Sequence, residues 1–119
     1  MIEFEQIAPG IYLYRWEGVL EAQDMYRASE ALASQNGKQP FASIVDMRKL
    51  EKVPMDIGTM RAVIKTEMRA GLRGYVLLGA SRAIESFVRP MAVLAPTTYK
   101  FTQDWDEAVS LARGLLQEE

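Results

Sequence analysis

The sequence predicts an α/β fold. It has a twisted, mixed, mostly parallel sheet of about five strands, with four helices packed on it in the order ββαβαβαβα. Two short apolar runs, "FASIVDM" (41–47) and "LRGYVLLGA" (72–80), have the composition of strands buried on both faces. The segments between such runs change to a period of 3.6 residues, and Gly or Pro punctuates most of the changes. Helices alternating with buried strands demand crossover connections, and crossovers impose parallel pairing.

The elements follow in order. "IEFEQIA" alternates Ile2, Phe4 and Gln6 against Glu3, Glu5 and Ile7, and reads as a short edge strand. Pro9-Gly10 turns the chain into "IYLYRWEGVL", rich in aromatic and β-branched residues, which pairs back antiparallel. Tyr12, Tyr14 and Trp16 share one face of this strand, and Ile11, Leu13 and Arg15 the other. If no helix covers one of these faces, an apolar patch remains that favours a homodimer.

From Glu21 the residues Met25, Ala28, Ser29 and Leu32 mark a helix face, which Asn36-Gly37 ends. After "FASIVDM" a loop runs from Asp46 to Asp56. A second helix starts near Pro54 or Asp56, with Ile57, Met60, Ile64 and Met68 on its inner face and Val63 beside them. Ser81 is a candidate N-cap for a third helix that turns Ile84, Phe87, Val88 and Met91 inward. Pro90 lies inside that helix and predicts a kink or an early stop. "TTYKFT" is the last strand. Asp104, with Glu107 three residues on, predicts a capping box for a final helix that buries Trp105, Ala108, Val109, Ala112 and Leu116. No repeat or interior linker is visible, so residues 1–119 are expected to form a single domain.

Composition narrows the function. With 49% apolar and 25% charged residues, the chain has the makeup of an ordinary globular protein. It contains no Cys, which excludes disulfides, Cys nucleophiles and thiolate metal sites. It contains no His, which removes the commonest general base and the commonest zinc ligand. No Gly-rich phosphate cradle or nucleophile motif stands out. The expectation is a non-catalytic protein without metal or cofactor. "MIEFEQIAPG" has neither the basic start nor the apolar core of a signal peptide, and no apolar run nears the ~20 residues of a membrane span. A cytoplasmic location is the default.

Charge is unevenly distributed. Residues 48–100 hold ten basic and four acidic groups, against three and seven in residues 1–47 and one and five in residues 101–119. Arg61, Lys65 and Arg69 recur every four residues and form one stripe of the second helix. Arg48, Lys49 and Lys52 lie in the loop that leads to it. Two readings stand: a solvated helix flank, or a surface for an acidic protein partner. Nucleic acid is disfavoured, because no exposed aromatics interleave with the bases.

Asp56 has two readings as well, a helix cap or a docking contact, and Asp46 is expected to accept from loop N–H groups. "GAS" (79–81) reads as a tight turn or as a cradle for an anion or nucleotide outside the strand ends. Met47, Met55, Met60, Met68 and Met91 read as core filler or as the lining of a pocket for a small apolar ligand.

The segments "YRWEGVL", "SIVDMRKLEKVPMDIGTMRAVI", "LRGYVLLGAS" and "YKFTQDWDEAVSLA", in this order and spacing, resemble a STAS domain of the SpoIIAA-like branch, which extends to CRAL-TRIO-type small bacterial proteins. The resemblance spans nearly the whole chain. It implies a regulatory, protein-interaction role like that of anti-sigma-factor antagonists. In that family an Asp, two serines and a glycine open the second helix, and phosphorylation of one serine switches docking. Asp56 matches the Asp, but Ile57 and Gly58 stand at the serine positions and Thr59 at the glycine. The resemblance therefore implies a docking face around Arg48, Lys49, Lys52, Asp56, Gly58, Thr59, Arg61, Lys65 and Arg69 without the phosphoacceptor serine, leaving Thr59 as the nearest hydroxyl. The CRAL-TRIO side of the resemblance implies the alternative, a carrier of a small apolar ligand or lipid.

Overall fold

The computed structural model describes residues 1–117. Strand β1 (Ile2–Ala8) pairs antiparallel with β2 (Ile11–Val19) across the Pro9-Gly10 turn. Strands β3 (Phe41–Lys52), β4 (Leu72–Leu78) and β5 (Thr98–Thr102) then add in parallel, giving the order β1-β2-β3-β4-β5. The helices are α1 (Ala22–Asn36), α2 (Ile57–Arg69), α3 (Arg82–Val88), α4 (Met91–Leu94) and α5 (Trp105–Gln117).

Each crossover steps one strand in the same direction. Right-handed connections then put α1 to α4 on one face of the sheet and leave the other to α5. The two cores agree with this. Tyr12, Tyr14, Trp16, Phe41, Val45 and Met47 pack under α1 to α4, and Ile11, Leu13, Ala42, Ile44, Val76 and Leu78 under α5. Among the described residues no helix is long and apolar enough to cross a membrane.

Local chemistry sets the boundaries. Gly37, at φ 69°, ends α1. Gly71, at φ 111°, lets the chain enter β4 tight against the Lys38-Gln39 turn; a Cβ there would fall 2.3 Å from the Gln39 carbonyl oxygen. Ser81 caps α3 by accepting from the Ile84 N–H at 3.2 Å.

Four expectations need correction. Strand β3 does not end at Asp46. It loses β4 there but stays paired with β2 out to Lys52, so Arg48, Lys49 and Lys52 are strand residues and the connection to α2 is only residues 53–56. The third helix does stop early, as expected from Pro90, which has no N–H to continue α3 and starts α4 instead. Ile57 is 49% exposed; the inner face of α2 is Thr59, Met60, Val63, Ile64 and Glu67. Helix α5 lacks the reciprocal capping box. Asp104 does accept from the Glu107 N–H at 2.9 Å, but the Glu107 carboxylate takes the Thr102 hydroxyl instead. Both faces of β2 are covered, with Ile11, Leu13, Tyr12 and Tyr14 all at most 4% exposed, so the apolar patch that motivated a homodimer is absent.

Candidate functional site

Helix α2 opens at Asp56. Its extended backbone leaves the helix start unpaired, and its Oδ2 accepts from the Thr59 N–H at 3.0 Å and the Thr59 hydroxyl at 2.7 Å. These bonds, that of the Thr59 side chain foremost, hold the Asp56 carboxyl below its ordinary range. Thr59 is buried, and its hydroxyl is committed to the cap. Gly58 is exposed, and an added Cβ would meet only Asp56 Oδ2, at 3.5 Å.

The basic residues do not gather on one surface. Arg48 folds back on Asp46, donating Nε to Oδ1 at 3.0 Å and NH2 to Oδ2 at 2.9 Å, while its backbone N–H also reaches Oδ1 at 3.0 Å. Burial opposes ionisation of Asp46, but the Arg48 bonds and charge outweigh it and hold the carboxyl below its ordinary range. Arg48 and Lys49 share a hollow with Arg15 and Glu17, whereas Lys52 faces a different groove. On α2, Arg61 spends its Nε on the Leu94 carbonyl of α4 at 3.3 Å, Lys65 is half-buried, and Arg69 is exposed. Arg61 and Arg69 stand roughly 12 Å apart along the helix axis.

The groove beside Lys52 lies at the carboxyl ends of β3 and β4, where open α/β sheets place their sites. Met47, Leu50, Val53 and Met55 wall one side, and Gly79, Ser81 and Ile84 the other. Gly79, at φ 79°, allows the close approach: a Cβ would fall 2.6 Å from Arg48 Cγ. Exposed apolar side chains continue nearby, with Met55 46% and Ile57 49% exposed; on α4, Val93 is 83% and Leu94 39% exposed. Among the described residues no group of three or more His, Cys, Asp or Glu is placed to hold a metal.

A second feature lies beneath α2. Glu67 is 2% exposed and points into the aromatic core. Its Oε2 accepts the Tyr14 hydroxyl at 3.1 Å, and the Tyr75 hydroxyl of β4 lies against the same carboxyl. Burial pushes this carboxyl up to about 8, against the pull of Tyr14 and Tyr75. Burial and the neighbouring Glu67 in turn raise both tyrosine hydroxyls far above their ordinary value. Glu67 lines a partly open cavity of about 50 Å³ together with Trp16, Tyr75, Met60, Val88 and Met91.

Sequence reasoning missed Glu67, although the signal was there. Met60, Val63, Ile64 and Glu67 fall at i, i+3, i+4 and i+7, so the acid occupies a position that the helix period reserves for the core.

No family model matches this chain, and no curated protein is significantly similar to it. Solved structures are. The anti-sigma factor antagonist SpoIIAA in its unphosphorylated form superposes with a TM-score of 0.68 at 15% identity, over 96% of this chain and 97% of that one. The phosphorylated form of the Bacillus cell fate determinant SpoIIAA gives 0.62 at 15% identity, over 93% and 98%. An uncharacterised protein from Shewanella loihica PV-4 gives 0.66 at 17% identity, over 94% and 92%. The chain therefore has the SpoIIAA-like α/β fold.

Proposed function

We propose that residues 1–119 form a single non-catalytic, cytoplasmic regulatory module that binds a protein partner at the opening of α2. The observation that carries this reading is the groove between residues 47–55 and 79–84, an apolar trough open to solvent beside a capped helix start. Exposed Met55 and Ile57 supply the apolar contact, and Lys52, Arg61, Lys65 and Arg69 supply positive charge along the same helix and its approach. An apolar centre with a charged rim is the usual make-up of a protein interface. The charge favours an acidic partner surface and faster encounter with it. Asp56 and Gly58 keep the helix start narrow, so a partner's backbone can come close. Arg48 and Lys49 belong to a separate hollow and contribute less.

The anti-sigma-factor antagonist likeness supports this reading at the level of fold. The phosphoacceptor serine is missing, and Thr59 is a poor substitute, since a kinase would have to break the Asp56 cap to reach it. Partner binding here is therefore constitutive with respect to that site.

Affinity capture with the wild-type domain and with Arg61→Ala/Lys65→Ala/Arg69→Ala tests the reading. A partner retained by the wild type, lost from the variant and released by moderate salt supports it. A partner held equally by both refutes the role of the stripe.

The alternative, a carrier of an apolar ligand or lipid, has one observation in its favour, the apolar cavity beneath α2. At about 50 Å³ it does not fit a lipid chain unless α3 and α4 move. Native mass spectrometry that finds co-purified lipid would favour the carrier over the docking module.

A further inference from the structure

The two edges of the sheet are finished differently. Every residue of β5 is buried or half-buried, whereas β1 leaves Glu3, Glu5 and Gln6 exposed and is the last strand on its side. The pairing of β1 with β2 fixes which of its backbone groups are spare. The Met1 amine donates to the Glu17 carbonyl at 2.7 Å, and the Glu17 N–H donates to the Met1 carbonyl at 2.9 Å. Antiparallel strands repeat such a mutual pair at every second residue, so Glu3 bonds with Arg15 and Glu5 with Leu13. Ile2, Phe4 and Gln6 therefore turn their N–H and C=O groups away from β2. A row of spare groups on an outer strand is a template for one more strand.

The two faces of this edge define what that strand would carry. Ile2 and Phe4 pack towards α1, and with Ala28 and Ala31 they wall a groove of about 450 Å³ that Asp24 and Arg27 also line. The two alanines leave room there for apolar side chains. Glu3 and Glu5 alternate to the opposite face, where Glu5 meets Arg15 at 3.0 Å with both side chains partly exposed. An added strand keeps the same alternation. Every second side chain enters the groove, and those between stand beside Glu3 and Glu5. Opposite charges across neighbouring strands attract, and like charges destabilise the pairing. A second copy of β1 docked antiparallel about Phe4 would set Glu3 against Glu5 twice, so the edge rejects its own copy. The surroundings point the same way, since residues 1–47 hold seven acidic and three basic groups.

We propose that β1 is a docking edge for an extended basic segment of another protein, which adds as a further strand with apolar side chains in the α1 groove and Lys or Arg beside Glu3 and Glu5. Main-chain bonds to Ile2, Phe4 and Gln6 supply affinity, and the alternating side chains supply selectivity. The surface belongs to β1 and α1 and stands without the docking role assigned to α2.

The test is an amide NMR titration of the wild-type protein with the peptide acetyl-Val-Lys-Val-Lys-Val-Lys-Val-amide. The controls are a peptide of the same composition in the order Val-Val-Val-Lys-Lys-Lys-Val, and the alternating peptide with Glu in place of Lys. The proposal expects saturable shifts at Ile2, Phe4, Gln6, Ala28 and Ala31, and several-fold weaker binding of both controls. Glu3→Gln/Glu5→Gln lowers the affinity about five-fold, the worth of two cross-strand charge pairs. Glu3→Lys/Glu5→Lys reverses the preference towards the Glu peptide. Gln6→Pro removes one outward N–H without touching a bond to β2, and weakens binding. Shifts that do not saturate at β1, shifts centred on α2, equal binding of the block-ordered peptide, or unchanged affinity in the double Gln variant would each overturn the proposal.

Discussion

The two faces of the sheet are made by the same strands yet differ in kind. Under α5, Ile11, Leu13, Ala42, Ile44, Val76 and Leu78 meet Ala108, Ala112 and Leu115, all of them aliphatic. Under α1 to α4 the alternate residues include Tyr12, Tyr14, Trp16, Phe41 and Tyr75, and α2 adds a buried acid. Aromatic side chains bring polar tips and awkward shapes, so this face leaves a cavity. The exposed groove and the basic flank of α2 belong to the same side of the fold. The α5 face is uniformly apolar, while the α2 face combines a buried acid, a cavity and an exposed groove.

The largest expected effect is on the α2 face, in the pH dependence of stability. Glu67, flanked by Tyr14 of β2 and Tyr75 of β4, keeps its proton up to about 8 when folded, against an ordinary 4.5. The unfolded chain binds fewer protons across that window, so stability falls as pH rises from about 4.5 and the loss is complete above about 8. The loss reaches at most roughly 5 kcal/mol. Urea unfolding between pH 5 and 9 measures it, and Glu67→Gln should flatten the profile. An unchanged profile in the variant would mean that Glu67 is ionised and compensated when folded.

On the α5 face, Leu115→Ala should cost about 2–5 kcal/mol at any pH, because the site is 1% exposed and closely packed. A paired substitution sharpens the contrast. Ala108→Leu has no room and should cost about 1–3 kcal/mol, whereas Val63→Leu can extend into the cavity and should cost under about 1 kcal/mol. Equal costs would mean that the cavity does not exist in solution. The smallest effect is at the surface: Asp56→Ala should lower Tm slightly by removing the α2 cap, and Asp56→Asn should restore it.

Much of this was legible in the residues. The order of elements, the caps at Asp56, Ser81 and Asp104, and the break at Pro90 follow from short-range chemistry that a single chain displays. The length of β3 was not, because its last residues, Arg48 to Lys52, are polar apart from Leu50 and are held mainly by pairing with β2. Ile57 looked like core by period, but it is 49% exposed at the first position of α2, and burial begins only with Thr59 and Met60. Arg48 counted as free charge because its partner, Asp46, lies on the same strand, where alternation says only that the two share a face. Glu67 was hidden by its type: an acid is read as surface until its neighbours in space are known.

The most direct measurement is hydrogen–deuterium exchange of the domain with and without its captured partner. This account predicts added protection at residues 47–65 and 79–84 and none at 105–117. Protection confined to α5, with the α2 start and the groove unchanged, would contradict it.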